Sequence, residues 1–316
     1  MSDFILHHYD TSPFSEKIRV LMGYKAKAYP DLIYQAVTIP VIMPKPTLMP
    51  LTGGYRKTPV AQIGADIYCD TSLIARVIDR MYPELTVFPA SAEASVGAAA
   101  HWTDTFFFRV CVTMAFQPKA LAGSPLFTDQ EAAAAFMADR AEFSKGSTQL
   151  AMSLEDAEPH WLLHLRRLDE QLAEAEYLGG SEPNILDFST YHCLWFTYNN
   201  EALREDFAPF NHVQRWMAQI RDFGHGGITN MEGEVALAVA RDATPAEVSK
   251  QGFELSQGPA LGDEVEVMAA DYGFQPTTGK LVVNSLEEIA VQRHDEQVGD
   301  VVVHFPRLGF QARAAG

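Results

Sequence analysis

The stretch Phe4-Ile5-Leu6-His7-His8-Tyr9-Asp10-Thr11-Ser12-Pro13-Phe14-Ser15 changes character in its middle. Phe4-Ile5-Leu6-His7 is a short apolar run of strand length. Ser12-Pro13 then reads as a helix start, because serine is a preferred N-cap and proline suits the first helical position. Phe14, Ile18, Leu21 and Met22 follow at helical spacing on one face. A strand feeding directly into a capped helix is half of an alternating α/β unit, and the next residues supply the rest. After a proline-rich stretch at 40–50, Val60-Ala61-Gln62-Ile63, the turn-like Gly64-Ala65-Asp66 and Ile67-Tyr68-Cys69 predict a β-hairpin. Asp70-Thr71 caps a second helix whose apolar side is Leu73, Ile74, Val77, Ile78 and Met81. The result is a small mixed sheet covered by helices.

Further along, the texture changes twice. Residues 92–242 read as almost wholly helical, with segments near 92–116, 129–145, 159–176, 186–198 and 211–223. They are separated by breaks such as Gly123-Ser124-Pro125 and Gly179-Gly180-Ser181. Trp161, Leu165, Leu168 and Leu172 form the apolar stripe of the third segment, as in an all-α bundle. Beyond Pro245, short β-rich runs at 253–256, 264–269, 281–283, 289–293 and 301–305 predict a small antiparallel sheet or barrel. The expected organisation is therefore an α/β unit over 1–84, an all-helical unit over 85–250 and a small β-rich, barrel-like module over 251–316. No internal repeat or low-complexity tract is visible.

Composition narrows the function classes. The chain has 316 residues, 47% of them hydrophobic and 21% charged, which is ordinary for a folded domain protein. Cys69, Cys111 and Cys193 stand singly, without CxxC spacing, so neither a disulfide framework nor a zinc knuckle is expected. The start Met1-Ser2-Asp3 lacks the basic character of a signal peptide, and the apolar runs are too short for a membrane span. A cytoplasmic protein is expected. The formal net charge is −17. It disfavours nucleic acid and anionic lipid surfaces as partners. The charge is uneven, at +2 over residues 1–83, −13 over 84–250 and −6 over 251–316. Only the first unit welcomes an anion.

Four features occur in one order: Tyr9-Asp10-Thr11-Ser12-Pro13-Phe14-Ser15 after the first strand, Lys57-Thr58-Pro59-Val60, Asp70-Thr71, and Asn184-Ile185-Leu186-Asp187 in the helical region. As a set they resemble the cytosolic glutathione transferases, over about residues 4–240. The resemblance implies a thioredoxin-like domain followed by an all-helical domain, with reduced glutathione as co-substrate, a small hydrophobic electrophile as acceptor and a homodimer as the assembly. The last stretch lies outside that two-domain pattern.

What the resemblance implies for each residue also makes chemical sense. Ser12 occupies the position of the family's activating Ser or Cys. A free thiol has a pKa of about 8.5, so a hydroxyl donating to sulfur at the positive end of a helix favours the attacking thiolate. Tyr9 and Thr11 are rival hydroxyls for the same sulfur. Ser12 and Ser15 replace the cysteine of the redox relatives, which argues against mixed-disulfide chemistry because a hydroxyl forms no disulfide. Pro59 resembles the family's cis-proline, with Thr58 offering main-chain groups to the cysteinyl part of glutathione. Asp70 and Thr71 suit the γ-glutamyl end, at a helix N-terminus that welcomes a carboxylate. Arg56 and Lys57 are candidates for the glycine carboxylate. Asn184 and Asp187 read as a structural capping box.

For the acceptor pocket, the aromatic residues Trp102, Phe106 and Phe108 are the candidates, although three adjacent Phe residues at 106–108 cannot share one helix face. The histidines lack metal-ligand spacing, so no metal is expected. Asp271-Tyr272-Gly273 and His304-Phe305-Pro306-Arg307 belong to a small barrel, to a surface over the cleft, or to an interface. Two other functions stay open: a non-catalytic binding or scaffold protein of the same fold, and a glutathione-dependent peroxidase or reductase.

Overall fold

The computed structural model describes residues 4–122, 129–148, 151–247 and 257–316. Met1-Ser2-Asp3, the break at Gly123-Ser124-Pro125 and the β-run at 253–256 lie outside the described residues. The first strand, β1 (Phe4–His8), leads into α1 (Pro13–Ala26), β2 (Ile33–Thr38) and a short α2 (Met49–Thr52). The hairpin β3 (Val60–Ile63) and β4 (Asp66–Cys69) then runs into α3 (Thr71–Met81). Period-two alternation sets the two faces of the sheet: Phe4 and Leu6 pack with the helices, whereas Ile5 joins a second core on the other face.

The helical region consists of α4 (Glu93–Trp102), a π-helical turn at Thr103–Phe107, α5 (Phe108–Ala115), α6 (Pro118–Ala122) and α7 (Gln130–Ser144). It continues through α8 (Leu154–Glu174), α9 (Ile185–Tyr198), α10 (Glu201–Arg204) and α11 (Asn211–Arg221). Trp161, Leu165, Leu168 and Leu172 are buried, as their spacing predicts. Asn184 and Asp187 form the expected capping box, and the Trp216 indole donates to Asp187 at 2.9 Å. One departure is β5 (Gly227–Asn230), which pairs parallel with β2 and is followed by α12 (Gly233–Asp242). Sequence periodicity reads that stretch as helical. Gly224 and Gly226 at φ 66 and 72 redirect the chain, and a Cβ at Gly227 would press on the Leu32 carbonyl at 2.8 Å.

The β-rich C-terminal module comprises β6 (Glu264–Ala269), β7 (Thr277–Asn284), β8 (Glu288–Asp295), β9 (Gly299–Pro306) and β10 (Phe310–Ala314). The expected β-rich module shares a sheet with the first unit: β9 pairs parallel with β4, and one sheet runs β10-β6-β7-β8-β9-β4-β3-β1-β2-β5. The open edge of β4 offers unpaired main-chain groups, and β9 satisfies them. His304 seals the junction, with its ring nitrogens 2.6 Å from Glu288 and 3.0 Å from Asp66 and its face stacked on Tyr68. Among the described residues no helix is long and apolar enough to cross a membrane.

Candidate active site

The first hydroxyl comes from the strand-to-helix corner. Ser12 is extended, and its Oγ accepts from the Ser15 amide at 3.2 Å while its own amide donates to the Tyr9 carbonyl at 3.1 Å. It is 2% exposed, yet it lines a cavity of about 1340 Å³ together with Tyr9 and Thr11. Burial raises the Tyr9 hydroxyl pKa, against the Arg140 charge and a hydrogen bond from Ser12. All three residues that carry the rival hydroxyls therefore line the same cavity. Ser15 is fully buried with an unpartnered Oγ and is not among the lining residues.

The second and third corners meet the same cavity. The Thr58–Pro59 peptide is cis and precedes β3. Asp70 adopts φ 74 and caps α3, accepting from the Ser72 amide at 2.9 Å and the Ser72 hydroxyl at 2.7 Å. The Thr71 Oγ1 accepts from the Lys17 ammonium at 3.3 Å, which leaves the hydroxyl's own proton to donate. Ser12, Thr58, Pro59, Asp70 and Thr71 all line the cavity. So do Arg56 and Lys57, but neither is free. Arg56 donates to Asp139 at 2.7 Å, and Lys57 donates to Asp271 at 2.6 Å under the Tyr272 ring at 3.9 Å. The loop between β6 and β7 thus lines the same cavity through Ala270, Asp271 and Tyr272.

The acceptor-pocket candidates divide. Phe108 lines the cavity and packs against Phe14 at 4.5 Å. Trp102 and Phe106 are not among the lining residues; they stack on each other at 5.5 Å beside His160 and His164, and Trp102 is 42% exposed. Helical spacing is the reason: the lining residues His101, Asp104, Thr105, Phe108 and Val112 fall on one face, and Trp102 and Phe106 lie roughly 100° or more around the helix from it.

Several cavity residues carry no sequence signal. Lys45 is 1% exposed; its ammonium bonds the Pro40 carbonyl, lies 3.5 Å from the Thr58 hydroxyl and sits over the Tyr9 ring at 5.3 Å. Burial, together with the Arg140 charge, lowers its pKa to about 8. On another wall, Lys17 donates to Asp104 at 2.6 Å, and Asp104 also bonds His192 at 2.9 Å and Ser189 at 3.2 Å. Burial would raise the Asp104 carboxyl, but the Lys17 charge and the His192 bond overcome it and hold the group at about 2. These contacts join residues far apart in sequence, which only a rare pairing signal would reveal.

Comparison with known proteins decides the family. The model of the glutathione S-transferase N-terminal domain matches residues 6–86. A GST-like protein from Pseudomonas syringae is 35% identical, with 100% of each chain covered and a TM-score of 0.82. The chain belongs to the glutathione S-transferase family. Two more distant structures show the fold alone. A glutathione S-transferase from Rhodospirillum rubrum is 18% identical, covers 69% of this family member and 87% of itself, and has a TM-score of 0.50. A Pseudomonas fluorescens family member with two glutathione molecules bound is 14% identical, covers 70% and 89%, and has a TM-score of 0.50. No curated protein matches this family member.

Proposed function

We propose that this family member binds reduced glutathione against Ser12, Thr58 and Asp70-Thr71 and adds its thiolate to a small electrophile held on the apolar wall. The observation that carries the reading is convergence: a capped helix start, a cis-proline corner and a second capped helix start all open on one cavity. Main-chain groups of Thr58 take the cysteinyl part, the α3 N-terminus and Thr71 take the γ-glutamyl carboxylate, and the Lys45 ammonium takes the glycyl carboxylate. Ser12 donates to the sulfur and favours the thiolate. The sulfur forms a bond to the electrophilic carbon; in substitution the leaving group departs with its electron pair, and in addition a solvent proton completes the product. Phe14 and Phe108 supply the apolar wall beside the sulfur.

A cysteine-dependent redox reading has less support. All three cysteines are buried, and burial pushes the Cys69 and Cys193 thiols well up, away from reactive thiolate. The family likeness extends the proposal to a homodimer in the cytoplasm.

The test is calorimetric titration of glutathione into wild type and Ser12→Ala, with the thiolate absorbance of the bound ligand followed against pH. Wild type is expected to bind with a thiol pKa below the free value of about 8.5, and Ser12→Ala to return it toward that value. Absence of binding, or an unchanged thiol pKa in Ser12→Ala, overturns the reading.

A further inference from the structure

Bound glutathione accounts for only part of the charge on the wall around Thr58. Four cations line the cavity there, Lys45, Arg56, Lys57 and Arg140, and Lys57 is paired with Asp271. One carboxylate, Asp139, serves both guanidiniums. Arg56 donates to its Oδ1 at 2.7 Å and to the Asp139 carbonyl at 3.2 Å, while Arg140 Nε donates to its Oδ2 at 3.1 Å and Arg140 Nη2 bonds the same oxygen. Among the described residues Lys45 has no carboxylate within ion-pair distance, and the buried Arg56 Nε has no hydrogen-bond partner. With Lys57 and Asp271 cancelling, the other three cations against Asp139 leave an excess of two positive charges, in a chain whose net charge is −17. The glycyl carboxylate of glutathione neutralises one of them, so the wall retains a cation for a second anion.

The neighbours of that cation describe the rest of the ligand. The Arg140 guanidinium lies 4.8 Å from the Phe143 ring and 5.5 Å from the Phe136 ring, and Phe116 stacks on Phe136 at 6.0 Å. Arg56 faces Phe143 from 4.2 Å. A guanidinium beside a bank of rings accepts a flat apolar body ending in a carboxylate, because the fork of N–H donors matches the carboxylate while the rings cover the body. A neutral acceptor would leave two guanidiniums sharing the single carboxylate of Asp139, with one positive charge uncompensated.

We propose that the acceptor of this family member is anionic: an aromatic or similarly flat apolar electrophile carrying a carboxylate remote from its reacting carbon, held by Arg140 with Arg56 beside it. The inference rests on the glutathione reading above and narrows its acceptor. The carboxylate takes no part in bond making. It anchors the electrophile so that the reacting carbon meets the sulfur near Ser12, and Arg140 is a specificity residue.

Equilibrium binding of two conjugates that differ in one group tests it. S-(para-carboxybenzyl)glutathione and S-(para-carbamoylbenzyl)glutathione are titrated into wild type, Arg140→Gln and Arg140→Lys, with glutathione alone titrated beside them. Wild type is expected to prefer the carboxylate by about tenfold, as for a charge-assisted pair. Arg140→Gln is expected to bring the ratio close to one, and Arg140→Lys, which keeps the charge, to retain part of the preference and so separate charge loss from misfolding. Equal affinity for the pair in wild type, or a preference that survives in Arg140→Gln, overturns the inference while leaving glutathione binding intact. Failure of glutathione itself to bind overturns the parent reading instead, and the inference with it.

Discussion

Two charged clusters share the wall of one cavity and are built in opposite ways. Around Asp104, the Lys17 ammonium, the His192 ring and the Ser189 hydroxyl converge on a single half-buried carboxylate, and each oxygen has a partner. Around Asp139, three cations compete for one carboxylate, and Lys45 is left to a carbonyl, a distant hydroxyl and a ring. The first cluster is closed: its charges satisfy one another, and it holds α1 to the π-helical turn and α9. The second is open, because its surplus charge needs something the chain does not supply. A saturated cluster supports stability, whereas an under-supplied one at a cavity wall is prepared for a ligand.

The largest expected effect breaks the closed cluster. Lys17→Met strands Asp104 without its ammonium, and urea denaturation should show a loss of about 3–5 kcal/mol, as for a buried pair that loses one partner. The pH dependence has a definite sign. The Asp104 carboxyl lies at about 2 in the folded chain, below its ordinary value of 3.8. Its stabilisation is therefore present above that ordinary value and is lost as pH falls from it toward about 2, a loss that Lys17→Met should reduce. A wild-type-like denaturation midpoint in Lys17→Met would refute the closed reading.

A smaller effect sharpens the open cluster. Because the Lys45 pKa is lowered to about 8, its positive charge is present below that pH and fades above it. Affinity for S-methylglutathione, which has no titrating thiol, should fall between about pH 7 and about pH 10, by roughly tenfold for loss of one charge-assisted contact. Lys45→Arg, which stays charged, should flatten that part of the profile. Equal slopes in the two proteins would remove Lys45 from the anion site. The smallest effect concerns the loop between β6 and β7. The Lys57–Asp271 pair is partly exposed, so Asp271→Asn should change the thermal or urea midpoint by no more than about 1 kcal/mol.

Legibility followed the range of the interactions. The corner at Ser12-Pro13, the proline at 59 and the cap at Asp70 could be read because each is a local backbone requirement: a cap, a turn, a helix start. The strands at 264–269 and 288–306 were legible for a related reason, since alternation is set by immediate neighbours. The strand at Gly227–Asn230 was not, because four residues carry too little periodicity and its partner β2 lies in the first unit. Trp102 and Phe106 fall on the helix face away from the cavity, while Phe108 lines it, and which face meets the cavity is set by packing between units.

By itself the sequence determined the succession of an α/β unit, a helical unit and a β-rich module, the three caps and corners of the candidate site, and a positive first unit within a strongly negative chain, all consequences of short-range backbone chemistry and composition. Only the tertiary structure decided that β9 would close the edge of β4, that a loop from the third module would line the cleft, and that Arg56 and Arg140 would share one carboxylate beside Lys45. Those outcomes depend on groups tens to hundreds of residues apart coming within a few ångströms, and such proximity exists only once the chain has packed.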